Sequence, residues 1–157
     1  MKYLENDGGR KNAGYKGKTG DCVCRAIAIA TTRPYKEIYN LINHYSKTLN
    51  SKYARTSSAR TGTHRKIYDE IMLKHFGWKW TPTMKIGQGC KTHLRADELP
   101  KGRIICRLSR HLVAVIDGVI NDTFDCSRGG TRCVYGYYSK DDFADFDDFC
   151  NVDDWDE

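Results

Sequence analysis

The sequence predicts an α+β domain in which N-terminal helices pack on a C-terminal antiparallel sheet. Apolar residues recur at helical spacing in three segments of the first half, whereas short β-branched or aromatic runs fill the second half. Helices followed by strands in this order are typical of α+β domains and not of doubly wound sheets. The length of 157 residues suits one domain.

Three helices are predicted in chain order. The first begins near Cys22 in the segment DCVCRAIAIATT, with Thr19 or Asp21 as its N-cap. The second follows Pro34, because the fixed φ of proline suits a first helical turn. The third lies in THRKIYDEIMLKHFG and stops at Gly77. Between the last two, SKYARTSSARTG predicts a mobile basic loop.

Four runs predict antiparallel strands: RIICRL, HLVAVI, VINDTF and TRCVYGYY. The pair Asp117-Gly118 is a two-residue hairpin signal, and it fixes a register in which the numbers of paired residues add up to 235. In this register Asp122 is a diagonal neighbour of His111 on one face of the hairpin. A three-residue loop with a bulge would instead bring Asp125 beside His111.

Charge is divided unevenly along the chain. Residues 1–111 contain 23 Lys and Arg against 8 Asp and Glu, whereas residues 112–157 contain 3 against 12. Either the acidic end docks on the basic body or each half attracts a different partner. We therefore expect a single domain over residues 1–140, with a loose basic leader at 1–18. The acidic aromatic tail at 141–157 is either solvated or docked through its aromatic rings.

The cysteine pattern and the hydropathy indicate a cytoplasmic protein. Seven cysteines are scattered without a regular framework, and the N-terminal residues lack the apolar core of a signal peptide. Reduced thiols are therefore expected. Apolar runs fall well short of the roughly 18 residues of a membrane span, so no membrane contact is predicted. The cysteine spacings fit zinc poorly, and neither a metal nor a cofactor is predicted.

Cys22 and His111 are the candidate catalytic pair, a nucleophilic thiol and its base. A thiol at a helix N-terminus has a lowered pKa because the exposed N–H groups and the helix dipole favour the thiolate. Cys24 lies about 200° further around the helix and cannot face the same cleft. His111 is the first residue of an apolar strand, so we expect its side chain to face a cleft at the end of the sheet. A nucleophilic cysteine needs such a base, and the base needs an orienting partner.

Two distant motifs carry a resemblance to a known family. GDCVCRAIAIAT, followed by a Tyr-containing helix, and HLVAVIDGVINDTFD resemble the small papain-like cysteine peptidases that bacteriophages often encode. In that pattern an Asp-Cys pair opens the first helix, and a strand that begins with His runs through an Asp-Gly turn into a strand that ends in Asp-Thr. The resemblance covers residues 15–125. It implies the papain-like fold, with Cys22 as nucleophile, His111 as general base and Asp122 as orienter.

The activity that the resemblance implies is acyl transfer by a cysteine hydrolase: a peptidase, isopeptidase or amidase of viral or phage origin. It would act in the host cytoplasm on a protein or peptide substrate from the host or the virus. No Gln precedes Cys22 to stabilise the oxyanion, so the candidate donors are its own backbone N–H with Lys16, Lys18 or Thr19. An amine in place of water would make the same site a transferase.

Two other classes of function stay open. The basic leader and the basic loop, with Trp78 and Trp80 nearby, could form a cationic, aromatic surface for nucleic acid. The acidic half of the chain argues against this, because it would repel phosphate. The other class is a papain-like scaffold without activity that only binds a partner, since a fold does not establish a function.

Overall fold

The computed structural model describes residues 1–17, 19–49, 57–85 and 87–140. In these ranges three α-helices pack on a six-stranded, mostly antiparallel sheet, which confirms the predicted α+β class. None of these helices combines the length and the apolar character needed to cross a bilayer. The helices are α1 Cys22–Thr31, α2 Tyr35–Thr48 and α3 Arg65–Glu70, which a π-helical turn, Ile71–His75, continues. The strands are β1 Lys2–Glu5, β2 Lys79–Pro82, β3 Arg103–Leu108, β4 His111–Ile116, β5 Val119–Asp122 and β6 Gly136–Ser139.

Two predicted segments fall largely or wholly outside the described residues. The acidic tail, 141–157, is one of them. The other is the basic loop, of which only 57–62 are described; there Ser58 and Gly62 form a short antiparallel bridge.

The β4–β5 hairpin has the predicted register. The strands follow the order β1-β5-β4-β3-β6-β2, and every neighbouring pair except β1 with β5 is antiparallel. Ala114 pairs with Asn121. Asp117 and Gly118 have φ values of 49° and 79°, as a type I′ turn requires at both central residues. The turn chemistry therefore fixes which residues of β5 lie near the start of β4.

The N-terminal leader is not loose at residues 2–5, where the prediction was wrong. β1 pairs with β5 in parallel, with Lys2 opposite Val119. All four residues of β1 are exposed, so no alternation of apolar residues marks the strand, and main-chain hydrogen bonds to the edge of β5 hold it. Beyond β1, the Asn6 N–H donates to the Asp122 carbonyl at 2.8 Å, which ties the leader to the end of β5.

α1 is the central helix of the fold. Eight of its ten residues are buried, because it lies across β4 and β3 and also packs on α2. Ile27 belongs to the core that α1 forms with Leu112 and Ala114 of β4. Burial on nearly all sides fixes the helix on the sheet, and its N-terminus comes to lie beside the first residues of β4.

Loops cover the opposite face of the sheet. Leu94 and Val134 pack there on Val113 and Val115 of β4. A disulfide joins Cys90 to Cys133 in these loops, so the expectation of reduced thiols was wrong for this pair. The two cysteines are 43 residues apart, and only the backbone pairing of the loops, such as Val134 N–H to Thr92 O at 2.8 Å, brings them together.

Loss of the disulfide is expected to destabilise the fold. Closing a loop between positions 43 residues apart restricts the unfolded chain by up to about 4 kcal/mol at 25 °C. Urea unfolding with and without reductant measures the effect. The Cys90→Ser/Cys133→Ser double variant is the control, since its free energy of unfolding should not respond to reductant. An equal response in that variant would show that the reductant acts elsewhere.

Candidate active site

Three elements converge at one edge of the sheet. Cys22 is the first residue of α1, His111 the first of β4 and Asp122 the last of β5. Cys22 and His111 line a cleft of about 700 Å³, which also borders residues 61–65 and the end of β3. The site thus combines a helix N-terminus with the hairpin whose register the Asp-Gly turn determines.

His111 and Asp122 form a short hydrogen bond. The distance between His111 Nε2 and Asp122 Oδ2 is 2.6 Å, and the two side chains are only 9% and 3% exposed. Burial would raise the pKa of Asp122, but the bond to His111, its charge, the Thr123 N–H and Arg25 together lower it. Asp122 is therefore an ionised carboxylate. Asp125, the alternative, instead accepts hydrogen bonds from the Ser127 N–H and hydroxyl at 3.0 and 2.7 Å.

The Cys22 thiol is placed to ionise. Burial opposes this, but the interaction with His111, the charge of His111, the Leu112 N–H and Arg25 outweigh it and lower the thiol pKa. Burial likewise disfavours a charged His111, but Asp122, Cys126 and Cys22 raise the His111 pKa well above its usual value. The two groups therefore favour a thiolate beside an imidazolium.

Cys24 differs from Cys22 although it lies only two residues further on. It is fully buried, and burial together with the negative charge of Asp21 raises its pKa to about 12. Its sulfur faces the Tyr35 carbonyl at 3.8 Å. Cys24 is therefore a core residue. The helical geometry predicted that only one of the two cysteines could face the cleft, and the structure places Cys22 there.

Arg25 is a residue of the site that the sequence analysis missed. Its guanidinium contacts the carboxylate of Asp21, the residue directly before α1, and lies 3.3 Å from Asp122 Oδ1 across the site. Asp21 is predicted as an N-cap, but its side chain makes no capping hydrogen bond. Asp21 instead accepts from Arg25 and, at 2.6 Å, from the Tyr35 hydroxyl. A chain of buried polar contacts therefore links the start of α1 to Asp122.

The candidate oxyanion donors stay unassigned. Thr19 lines the cleft, but its hydroxyl already donates to the Arg60 carbonyl at 2.7 Å. Lys16 lies outside the cleft lining and accepts a hydrogen bond from Arg60 through its carbonyl, and Lys18 falls outside the described residues. The Cys22 N–H lies in the first turn of α1, where amides have no partner within the helix, so it remains the first candidate.

His111, Asp122 and Cys126 form a group of metal-ligand type. Their ligand atoms lie within 4.8 Å of one another. Two ligands of a tetrahedral zinc ion would be about 3.3 Å apart, whereas His111 Nε2 and Asp122 Oδ2 are 2.6 Å apart. Arg25 also places a positive charge on Asp122. The arrangement fits a hydrogen-bonded imidazole and carboxylate better than a metal centre.

The aromatic surface expected for nucleic-acid binding is not formed by the two tryptophans. Trp78 is 8% exposed and belongs to the core on the helix side of the sheet. Trp80 packs on Tyr138, with ring centroids 4.8 Å apart. Both rings are engaged in packing, which leaves them poorly placed as platforms for stacking bases.

Comparison of the chain with known proteins finds no matching family model, no matching curated protein and no matching solved structure. The roles of Cys22, His111 and Asp122 therefore rest on the geometry and electrostatics of the site itself.

Proposed function

We propose that the chain is a cysteine hydrolase that acts by acyl transfer through Cys22, His111 and Asp122. One observation carries the proposal: a thiol of lowered pKa lies beside an imidazole that a buried carboxylate holds at 2.6 Å. A nucleophile, a base and an orienting group in this order are what covalent acyl transfer needs.

The proposed reaction has two steps. The Cys22 thiolate attacks a carbonyl carbon, the imidazolium of His111 gives its proton to the leaving amine, and a thioester forms. Water then attacks the thioester while His111 takes one of its protons, which releases the acid and restores the thiolate. The Cys22 N–H would donate to the oxyanion in both steps. An amine in place of water would turn hydrolysis into transfer.

The finer parts of the proposal rest on the resemblance of the two sequence motifs. They are the papain-like fold, a phage or viral origin, action in the host cytoplasm and a protein or peptide substrate. The packing of a helix that opens with Asp-Cys on a strand that opens with His supports the first of these, the fold; the other three rest on the resemblance alone.

Acyl-enzyme trapping tests the proposal. We expect p-nitrophenyl esters of N-acyl amino acids to give a burst of about one p-nitrophenol per chain, with the acyl mass on the Cys22 peptide after an acid quench. Cys22→Ala should abolish the burst, and Cys24→Ala, the matched control on the same helix, should retain it. A wild-type chain that is not acylated, or a burst that survives Cys22→Ala, would refute the proposed nucleophile.

A further inference from the structure

Arg107 lies next to the nucleophile on the helix side of the sheet. It is paired with Leu112 of β4, whose backbone N–H interacts with the Cys22 thiol. Directly paired residues have Cα atoms about 4.5–5.5 Å apart and project to the same face. Arg107 lines the same cleft as Cys22 and His111. A substrate carbonyl that reaches Cys22 therefore brings its neighbouring groups close to Arg107.

Two aromatic rings hold the Arg107 guanidinium in place. Its Cζ lies 5.1 Å from the centre of the Trp80 ring and 5.8 Å from that of Tyr135. Gly136, paired with Arg107 in β6, makes room for this arrangement, because a Cβ there would clash with the Trp80 ring. A stacked guanidinium is preorganised, so it loses less side-chain freedom when it binds a ligand.

The guanidinium lacks an acidic partner within the described part of the chain. No carboxylate there lies within ion-pair distance of Arg107, whereas Arg25 has two such partners and Arg65 has one. The guanidinium interacts with the Tyr68 hydroxyl, but its Nη1 atom is buried and has no hydrogen-bond partner among the described residues. An unmatched guanidinium N–H is costly, and a ligand carboxylate is the acceptor that best matches its planar fork.

The charges around the cleft agree with an anionic ligand. Arg65, Arg107 and Arg110 line it, and Asp21 is the one acidic residue among its described lining residues. Asp21 is fully buried and already bound by Arg25. Arg110, directly before His111, is exposed and has a φ of 55°, a conformation that glycine adopts more readily. The arginine in that turn adds positive charge to the lining of the cleft.

We propose that Arg107 is the centre of a carboxylate-binding subsite and that the preferred substrate carries an acidic side chain beside the attacked carbonyl. This inference rests on the proposed function, since it names the substrate class of the same cleft. It also predicts that substrates with a basic residue at that position are disfavoured, because Arg107 and Arg110 would repel it.

Peptidyl vinyl sulfones that differ in one residue test the subsite. Such probes form a C–S bond with a thiolate and take up one proton, so the mass of the digested Cys22 peptide reports the rate of labelling of Cys22. We compare Glu, Gln and Lys at the residue that bears the electrophile. The wild-type chain should react about 10-fold to 100-fold faster with the Glu probe than with the Gln probe, as one charge-assisted bidentate contact allows. The Lys probe should be the slowest.

Two substitutions at Arg107 and one control elsewhere assign the preference to this residue. Arg107→Gln should bring the Glu and Gln probes to within about 3-fold of each other, whereas Arg107→Lys keeps the charge and should retain part of the preference. Arg33→Gln is the matched control, because Arg33 also lies over an aromatic ring, Phe76 at 6.0 Å, but outside the cleft. It should behave like the wild-type chain.

Iodoacetamide, a small neutral reagent, separates failure of the subsite from failure of the proposed function. If Cys22 reacts with iodoacetamide as a thiolate below pH 8 but the wild-type chain does not prefer the Glu probe, the subsite is refuted and the nucleophile stands. If Cys22 is inert to both reagents, the proposed function fails and the inference fails with it. A Glu preference that persists in Arg107→Gln also overturns the assignment to Arg107.

Discussion

Replacing His111 by Ala is expected to slow the alkylation of Cys22 by iodoacetamide at pH 6 by about 100-fold or more. In the wild-type chain His111 is the main influence that lowers the thiol pKa against the effect of burial. Without His111, only the Leu112 N–H and Arg25 still oppose the effect of burial, so the thiol pKa should rise. Because the thiolate is the reactive form, the rate then falls tenfold for each pH unit below that pKa.

The measurement is the labelling rate of Cys22 between pH 5 and pH 9. The wild-type profile should still show a reactive thiolate well below pH 8.5, and the His111→Ala profile should be shifted to higher pH. His44→Ala is the matched control, since His44 is exposed on α2; its profile should coincide with that of the wild-type chain. Coincident profiles for all three chains would show that His111 does not activate the thiol.

Replacing Arg25 by Met is expected to lower the free energy of unfolding by about 2–3 kcal/mol. The Arg25 side chain is 11% exposed, and its partners Asp21 and Asp122 are 0% and 3% exposed. Removing the cation takes one counter-ion from each of two buried carboxylates. Among the described residues, Asp21 then keeps only Arg10 at 3.5 Å and the Tyr35 hydroxyl, and Asp122 keeps His111. Urea unfolding at pH 7 gives the free energy for both chains.

Arg33→Met is the control for Arg25→Met. Arg33 also pairs with a carboxylate one turn away, that of Glu37 at 3.4 Å, but the two side chains are 52% and 47% exposed. Exposed pairs of this kind contribute about 0–1 kcal/mol, so the control should be close to the wild-type chain. Similar losses for both substitutions would contradict a special role of the buried network.

The same network should make the free energy of unfolding fall as the pH is lowered into the acid range. Because the pKa of Asp122 is lower in the folded chain than its usual value, its contribution is complete above about pH 4 and is lost as the pH falls through the folded pKa. Arg25→Met removes one of the influences that lower this pKa, so part of the acid sensitivity should disappear with it.

Local signals in the sequence were enough to locate the candidate site. Apolar spacing predicted α1, and the Asp-Gly turn predicted the register that places Asp122 diagonally from His111. Both signals are contained in short stretches of chain, where helix periodicity and turn chemistry act directly on the backbone. The papain-like fold, which the two motifs implied, stays a prediction.

Features that depend on distant parts of the chain were missed. β1 carries no apolar alternation, because it is exposed and held by the edge of β5. The partner of Arg25 across the site, Asp122, is 97 residues away, and no local pattern reveals such a pair. The disulfide between Cys90 and Cys133 likewise depends on how two loops meet on the finished sheet.

The hairpin that joins His111 to Asp122 has a consequence for the order of folding. The base and its orienting carboxylate lie 11 residues apart in one β4–β5 hairpin, a unit that forms locally in about 1–10 μs. Cys22 reaches them only when α1 packs across β4, a contact between distant parts of the chain that forms more slowly. A partly folded chain therefore has an ordinary thiol, and nucleophilic reactivity appears only with the completed core.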